Sequence, residues 1–156
     1  MKLQPLLSYR TAVAAMAALL IASPVAAKEV LRTDVELRLI QPGANQTFDW
    51  QLADGNEPVY PKKMKRSGAQ GCGIFNFDIL PDGTVDNVEA LRTVPGLGIK
   101  REAKQMLQAM RWEATSDSPK ATQVQMRVDF CMGGSTAEEA QQMCEIQTQY
   151  ACKKRS

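Results

Sequence analysis

The sequence predicts an α+β fold, a small antiparallel sheet of three strands packed on helices. Three observations carry that expectation. Gly73 to Leu80 and Gln123 to Cys131 alternate apolar with polar residues, the period of a half-buried strand. Pro81-Asp82-Gly83 supplies a turn that leads into a second strand, Thr84 to about Thr93. Between that hairpin and the last strand, Ile99 to Trp112 has the strongest helical periodicity in the chain.

The first 27 residues read as an export signal. Lys2 and Arg10 form a basic start, Thr11 to Ala22 is an apolar run, and Ser23-Pro24-Val25-Ala26-Ala27 offers a helix breaker and small residues before a cut after Ala27. An apolar run of about a dozen residues falls short of the roughly 20 that a permanent anchor needs. The expectation is therefore an exported protein with no permanent membrane anchor. Cleavage leaves 129 of the 156 residues, enough for one core. Lys2 and Arg10 leave with the signal, so seventeen basic residues face seventeen acidic ones. That balance argues against a nucleic-acid partner, which normally demands a basic excess.

Residues 28–57 form an extension with strand character. Val35, Leu37 and Leu39 alternate with Asp34, Glu36 and Arg38 inside Glu29 to Ile40, and Phe48 to Leu52 is a second short strand before Asp54-Gly55-Asn56 turns the chain. Pro61 suits the first turn of a short helix that Gly68 is placed to end. In the strand from Gly73, Phe75, Phe77 and Ile79 form the apolar face. Val85 and Val88 lie three apart in the next strand, which breaks the period of two and suggests a bulge or a late start to pairing. In the following helix Ile99, Ala103, Met106, Leu107 and Met110 share one face. The last strand sets Val124, Met126, Val128 and Phe130 against Gln125, Arg127 and Asp129. Gly133-Gly134 ends it, and Ser135 or Thr136 caps a helical extension over 133–156, with Glu138 and Glu139 in its first turn.

From Tyr60 to Cys131 the order is helix, strand, strand, helix, strand. Tyr60-Pro61 with Gly68 and Gly71, the alternating strand, Pro81-Asp82-Gly83-Thr84-Val85-Asp86-Asn87-Val88, the amphipathic helix ending in Arg111-Trp112, and the strand Val124 to Phe130 together resemble the TonB C-terminal domain family over 58–132. There are departures. Trp112 is followed by Glu113-Ala114-Thr115 where the family usually has another aromatic and a proline, and the chain lacks both histidine and a long Pro-rich spacer. It looks like the recognition end of an energy transducer without its membrane motor.

The resemblance implies a protein-binding module that docks an extended peptide, or a segment of a TonB-dependent outer-membrane receptor or another periplasmic protein, by strand addition. With the middle helix crossing over the first strand, the order two, one, three leaves the last strand at an edge. Gln123, Val124, Gln125, Met126, Arg127, Val128 and Asp129 are then the expected partner-binding residues. The same edge would serve a homodimer. Two alternatives stand beside this one: an energy-transducer or accessory subunit of TonB-dependent transmembrane transport, and a disulfide-braced structural envelope domain whose strand edge is blocked, covered by the N-terminal strands or the C-terminal helix.

Four cysteines, Cys72, Cys131, Cys144 and Cys152, remain in the exported chain and are expected to form disulfides. Three connectivities exist. The strand order favours Cys72 with Cys131, leaving Cys144 with Cys152, which are about 12 Å apart on an unbroken helix and so require that helix to break. No Cys-x-x-Cys pair or histidine supports a metal or redox site. With no Ser or Cys nucleophile motif either, the chain is expected to be no enzyme and to need no cofactor. The methionines Met106, Met110 and Met126 read as core, the carboxylates Asp78, Asp82, Asp86 and Glu89 as a solvated hairpin, Lys62, Lys63, Lys65 and Arg66 as a solvated helix face, and Trp50 and Trp112 as core plugs.

Overall fold

The structure, a computed structural model, describes residues 31–41 and 48–152. The export signal and its cleavage site after Ala27 lie outside them. The elements are β1 (Thr33–Gln41), β2 (Trp50–Leu52), α1 (Lys62–Ser67), β3 (Gly71–Ile79), β4 (Val85–Val94), α2 (Gly96–Ala109), β5 (Trp112–Ala114), β6 (Thr122–Met132) and α3 (Ala137–Thr148). The fold is α+β. A four-stranded sheet runs in the order β1-β6-β3-β4 with every neighbouring pair antiparallel, and β2 pairs with β5 in a second, two-stranded sheet.

The sheet thus has four strands rather than the three expected. β1 supplies the fourth because its apolar residues can close the core beside β6. Thr33 opposes Met132 and the register runs without a break to Leu39 opposite Met126. Val35 is buried, and Leu37 and Leu39 pack against the core.

One face of the sheet holds the main core. Phe75, Phe77 and Ile79 of β3 and Val124, Met126, Val128 and Phe130 of β6 are almost wholly buried with Ile99, Ala103 and Leu107 of α2. This is the alternation of the sequence made physical: every second strand residue meets the apolar stripe of α2. The other face carries Asp129 and Cys131, and α3 packs over it, against β6 and β1. β6 is therefore buried on both faces near its end, which period-two patterning does not anticipate.

Local chemistry sets the element ends. Gly68, at φ 66, caps α1 with N–H bonds to the carbonyls of Lys65 and Met64. Thr136 caps α3 in a capping box with Glu139. β4 takes one extra residue around Asn87, which sits at φ 52, between the pairs Asn76–Glu89 and Asp78–Asp86. That is the bulge signalled by the Val85–Val88 spacing.

The helix expected to end at Trp112 stops at Ala109. Met110 is extended, at ψ 153, and Trp112 opens β5 opposite Leu52. Trp112 lies two residues beyond Met110, a strand spacing and not a helical one, and its N–H donates to the Gly83 carbonyl at 2.9 Å. Both tryptophans are buried: Trp50 Nε1 donates to Thr122 Oγ1 at 3.0 Å, while Trp112 Nε1 has no partner among the described residues.

Candidate protein-docking site

The residues expected to bind a partner lie together on β6, but not at an edge. β3 pairs with β6 from Gly71–Phe130 to Ile79–Thr122, and β1 pairs with its other side from Thr33–Met132 to Gln41–Gln125. From Gln125 to Asp129 the backbone thus has a strand on either hand. Val124, Met126 and Val128 point into the core. Gln125 donates from Nε2 to Asn76 Oδ1 at 3.1 Å. Arg127 and Asp129 are engaged under α3: Arg127 donates from Nε to Asp129 Oδ2 at 2.6 Å and from Nη2 to Oδ1 at 2.9 Å. Gln123 alone of the group is exposed on a side chain that bonds nothing else described. The expected free edge is corrected by β1, an element outside the pattern that suggested it.

The disulfide pairing is corrected too. The bridges are Cys72–Cys152 and Cys131–Cys144. The register opposes Cys72 to Asp129, so Cys131 stands two positions along on the neighbouring strand. Such diagonal neighbours are about 7–8 Å apart, beyond the usual reach of a disulfide. Each cysteine instead bonds upward, Cys131 to α3 and Cys72 to the segment after it. The helix ends at Thr148, which frees Cys152 to return to the sheet.

The surface that does gather unsatisfied chemistry lies at the other face of the molecule's core, along α1 and α2. A cleft of about 620 Å³ there is lined by Gly55 to Val59, by Pro61, Lys62, Lys63 and Arg66 at α1, and by α2 residues from Glu102 with Met110 after them. Its floor is apolar, formed by Pro58, Val59, Met106 and Met110. Val59 is 73% exposed, unusual for its type and adjacent to the buried Tyr60. One wall is cationic: Lys62, Lys63 and Arg66 come from a helix that holds no acidic residue. Glu102, buried at the base, accepts from Arg101 at 3.1 Å and lies 3.9 Å from Lys63 Nζ. Among the described residues neither Lys62 nor Arg66 has a carboxylate partner.

The third side is the extended strip Glu57 to Tyr60. Among the described residues no backbone hydrogen bond engages Glu57 or Val59. Tyr60 holds this strip in place. Its hydroxyl donates to the Ala69 carbonyl at 2.6 Å, across the turn of α1, and its ring meets Phe130 edge-on at 5.6 Å. Burial pushes the Tyr60 phenol up to about 12. The sequence carries little sign of this cleft: the basic run Lys62 to Arg66 is visible, but its juxtaposition with Met106 and Met110 is tertiary. Among the described residues there is no cluster of three metal-ligating side chains, and no helix is long and apolar enough to cross a membrane.

Comparison with known proteins places these elements. The family model described as "Gram-negative bacterial TonB protein C-terminal" matches residues 56–132. The chain is 36% identical over 58 residues to Protein TonB of Escherichia coli (strain K12), covering 37% of this chain and 24% of that protein. It is 30% identical over 95 residues to Protein TonB of Yersinia enterocolitica, covering 61% of this chain and 36% of that protein. It therefore spans only about a quarter to a third of the length of these relatives. The solution structure of the Pseudomonas aeruginosa TonB C-terminal domain matches 58% of this chain and 90% of that one, with 23% identity and a TM-score of 0.41. The matched segment holds the Tyr60 strip, the Gly68 cap, the Gly83 turn, Trp112 and β6, while β1, α3, Cys144 and Cys152 lie outside it. Through residues 56–132 the chain belongs to the TonB C-terminal domain family.

Proposed function

We propose that this chain is a periplasmic protein-docking module that receives an extended segment of a partner along the cleft between Glu57–Tyr60 and α2. The observation that carries this reading is the backbone at Glu57 and Val59, which no described residue pairs, beside an apolar floor and the cations Lys62 and Arg66. Main-chain pairing with the strip would supply affinity, the methionines would accept an apolar side chain, and the cations would favour an acidic neighbour. Family membership supports the class of partner, a segment of a TonB-dependent outer-membrane receptor or another periplasmic protein, and a place in transmembrane transport as an energy transducer or an accessory subunit. Addition of a strand beside Gln125 to Asp129 would require β1 to leave. A second reading, a disulfide-braced structural domain, is favoured by the covered edge of β6 and by the two bridges that fasten α3 and the segment after it to the sheet.

The test is a fluorescence-anisotropy titration of the exported, oxidised chain with labelled peptides from the periplasm-facing segments of outer-membrane receptors. Binding that weakens at least tenfold in the Lys62→Glu, Arg66→Glu double variant, and not in Gln123→Ala, supports docking in the cleft. Binding indifferent to the double variant removes the cleft, and no binding of any such peptide leaves the structural reading.

A further inference from the structure

The two edges of the main sheet are built differently. β4 departs from regular pairing twice, between the positions of Ile74 and Phe75 and of Asn76 and Asp78, and it exposes Asp86, Glu89 and Arg92. Irregular pairing and exposed charge protect an edge from accepting another strand. β1 has neither bulge nor proline from Thr33 to Leu39, and its only register shift comes between Leu39 and Gln41.

The direction of the β1 backbone groups that pair with no described strand follows from the ladder. The N–H of Gly133 donates to the Arg32 carbonyl at 3.1 Å, so Arg32 faces β6. In an antiparallel ladder the groups alternate, so Asp34, Glu36 and Arg38 also turn theirs to β6, while Val35, Leu37 and Leu39 turn theirs outward.

We propose that this outward edge joins two copies of the chain, antiparallel, about a two-fold axis through Leu37. The pattern of β1 is self-complementary in that register. Leu37 opposes its own counterpart, Val35 opposes Leu39 of the second copy, and Glu36 opposes Arg38 in both directions. The apolar pairs extend the core face, and the charge pairs lie on the face that α3 covers. Opposite charges set directly across from one another favour pairing, and like charges oppose it. The neighbouring registers that keep each side chain on its face centre the axis on Glu36 or on Arg38, and each sets that residue against its own like charge. Within one chain Arg38 Nη2 lies 3.5 Å from Glu36 Oε1 and donates to Thr148 Oγ1 at 2.9 Å, and with 52% of Arg38 and 30% of Glu36 exposed the long Arg38 side chain exchanges this internal ion pair for Glu36 of the second copy. The resulting assembly is an isologous dimer with one continuous eight-stranded sheet. It shares no residue with the cleft of α1 and α2, so it goes beyond the docking function and stands or falls apart from it.

The test is sedimentation equilibrium of the oxidised chain over a concentration series, with Glu36→Arg, Arg38→Glu and the double charge swap. The expected result is a wild-type dimer, a dissociation constant raised at least tenfold in each single variant, and a dimer regained in the double swap. An equimolar mixture of the two single variants also associates, because each supplies the charges the other needs, and this shows that both are folded. A wild-type chain that stays monomeric to hundreds of micromolar overturns the proposal. So does a dimer that the single reversals leave unchanged, or a pair of single variants that remain apart when mixed.

Discussion

Arg127 and Asp129, two residues apart on β6, form a bidentate ion pair beneath α3 in which Asp129 is wholly buried. Gln147 extends the pair. It donates from Nε2 to Asp129 Oδ1 at 3.0 Å and to the Gly71 carbonyl at 2.9 Å, while Arg127 donates to the Tyr150 carbonyl at 2.7 Å and the Gln147 carbonyl at 3.1 Å. These bonds tie β3, β6, α3 and the segment after it at one point. A charge removed from water needs such company.

Asp129→Ala removes the carboxylate that the Arg127 guanidinium and the Gln147 amide share under α3, leaving the cation with backbone carbonyls alone. Loss of one member of a buried pair costs about 3–5 kcal/mol. Urea unfolding should show a midpoint lowered accordingly. A loss below about 1 kcal/mol would mean that water replaces the carboxylate and that the network contributes little.

Tryptic mapping without reductant should recover peptides linked through Cys72–Cys152 and Cys131–Cys144. The first pair is 80 residues apart and the second 13. On the chain-entropy account, closing these loops stabilises by about 4.5 and about 3 kcal/mol. The Cys72→Ser, Cys152→Ser variant should therefore unfold more easily than Cys131→Ser, Cys144→Ser. The reverse ranking would show that local packing under α3 outweighs loop closure.

Gly83 stands at φ 78 in the hairpin turn, and a Cβ added there would meet the Trp112 carbonyl oxygen. Gly83→Ala combines the strain of a left-handed alanine with that collision. The backbone strain alone costs about 1–3 kcal/mol. Thermal unfolding should register the loss, with near-ultraviolet dichroism of Trp112 changed as β5 shifts. An unchanged Tm and spectrum would contradict the close approach of the turn to β5.

The Tyr60 phenol, pushed up to about 12 by burial, makes stability depend on pH at the alkaline end. A raised folded value means that the neutral phenol is favoured by folding. The contribution is complete below the unfolded value of about 10 and is lost as pH rises through about 12. Tyr60→Phe should flatten this part of the stability curve. Absorbance titration at 295 nm should show a phenol ionising above the ordinary tyrosine range that is missing from Tyr60→Phe; a wild-type titration without that late phase would contradict burial of Tyr60.

The sequence by itself determined the elements whose cause is local. Alternating residues specify β3 and β6, the stripe from Ile99 to Met110 specifies α2, Gly68 and Thr136 mark helix ends, and the Val85–Val88 spacing announces the bulge. Each depends on a side chain's nearest neighbours along the chain. Tertiary structure decided what depends on pairing between distant segments. The alternation of β1 declared a strand but not that it would cover β6, since a backbone edge has no sequence pattern of its own. The disulfides followed register, which opposed Cys72 to Asp129 and sent both sheet cysteines to the C-terminal extension. Trp112 left the helix because β2 and the Gly83 carbonyl were waiting for its backbone. The cleft, likewise, exists only where α1 lies beside α2 and brings Lys62 and Arg66 over Met106 and Met110.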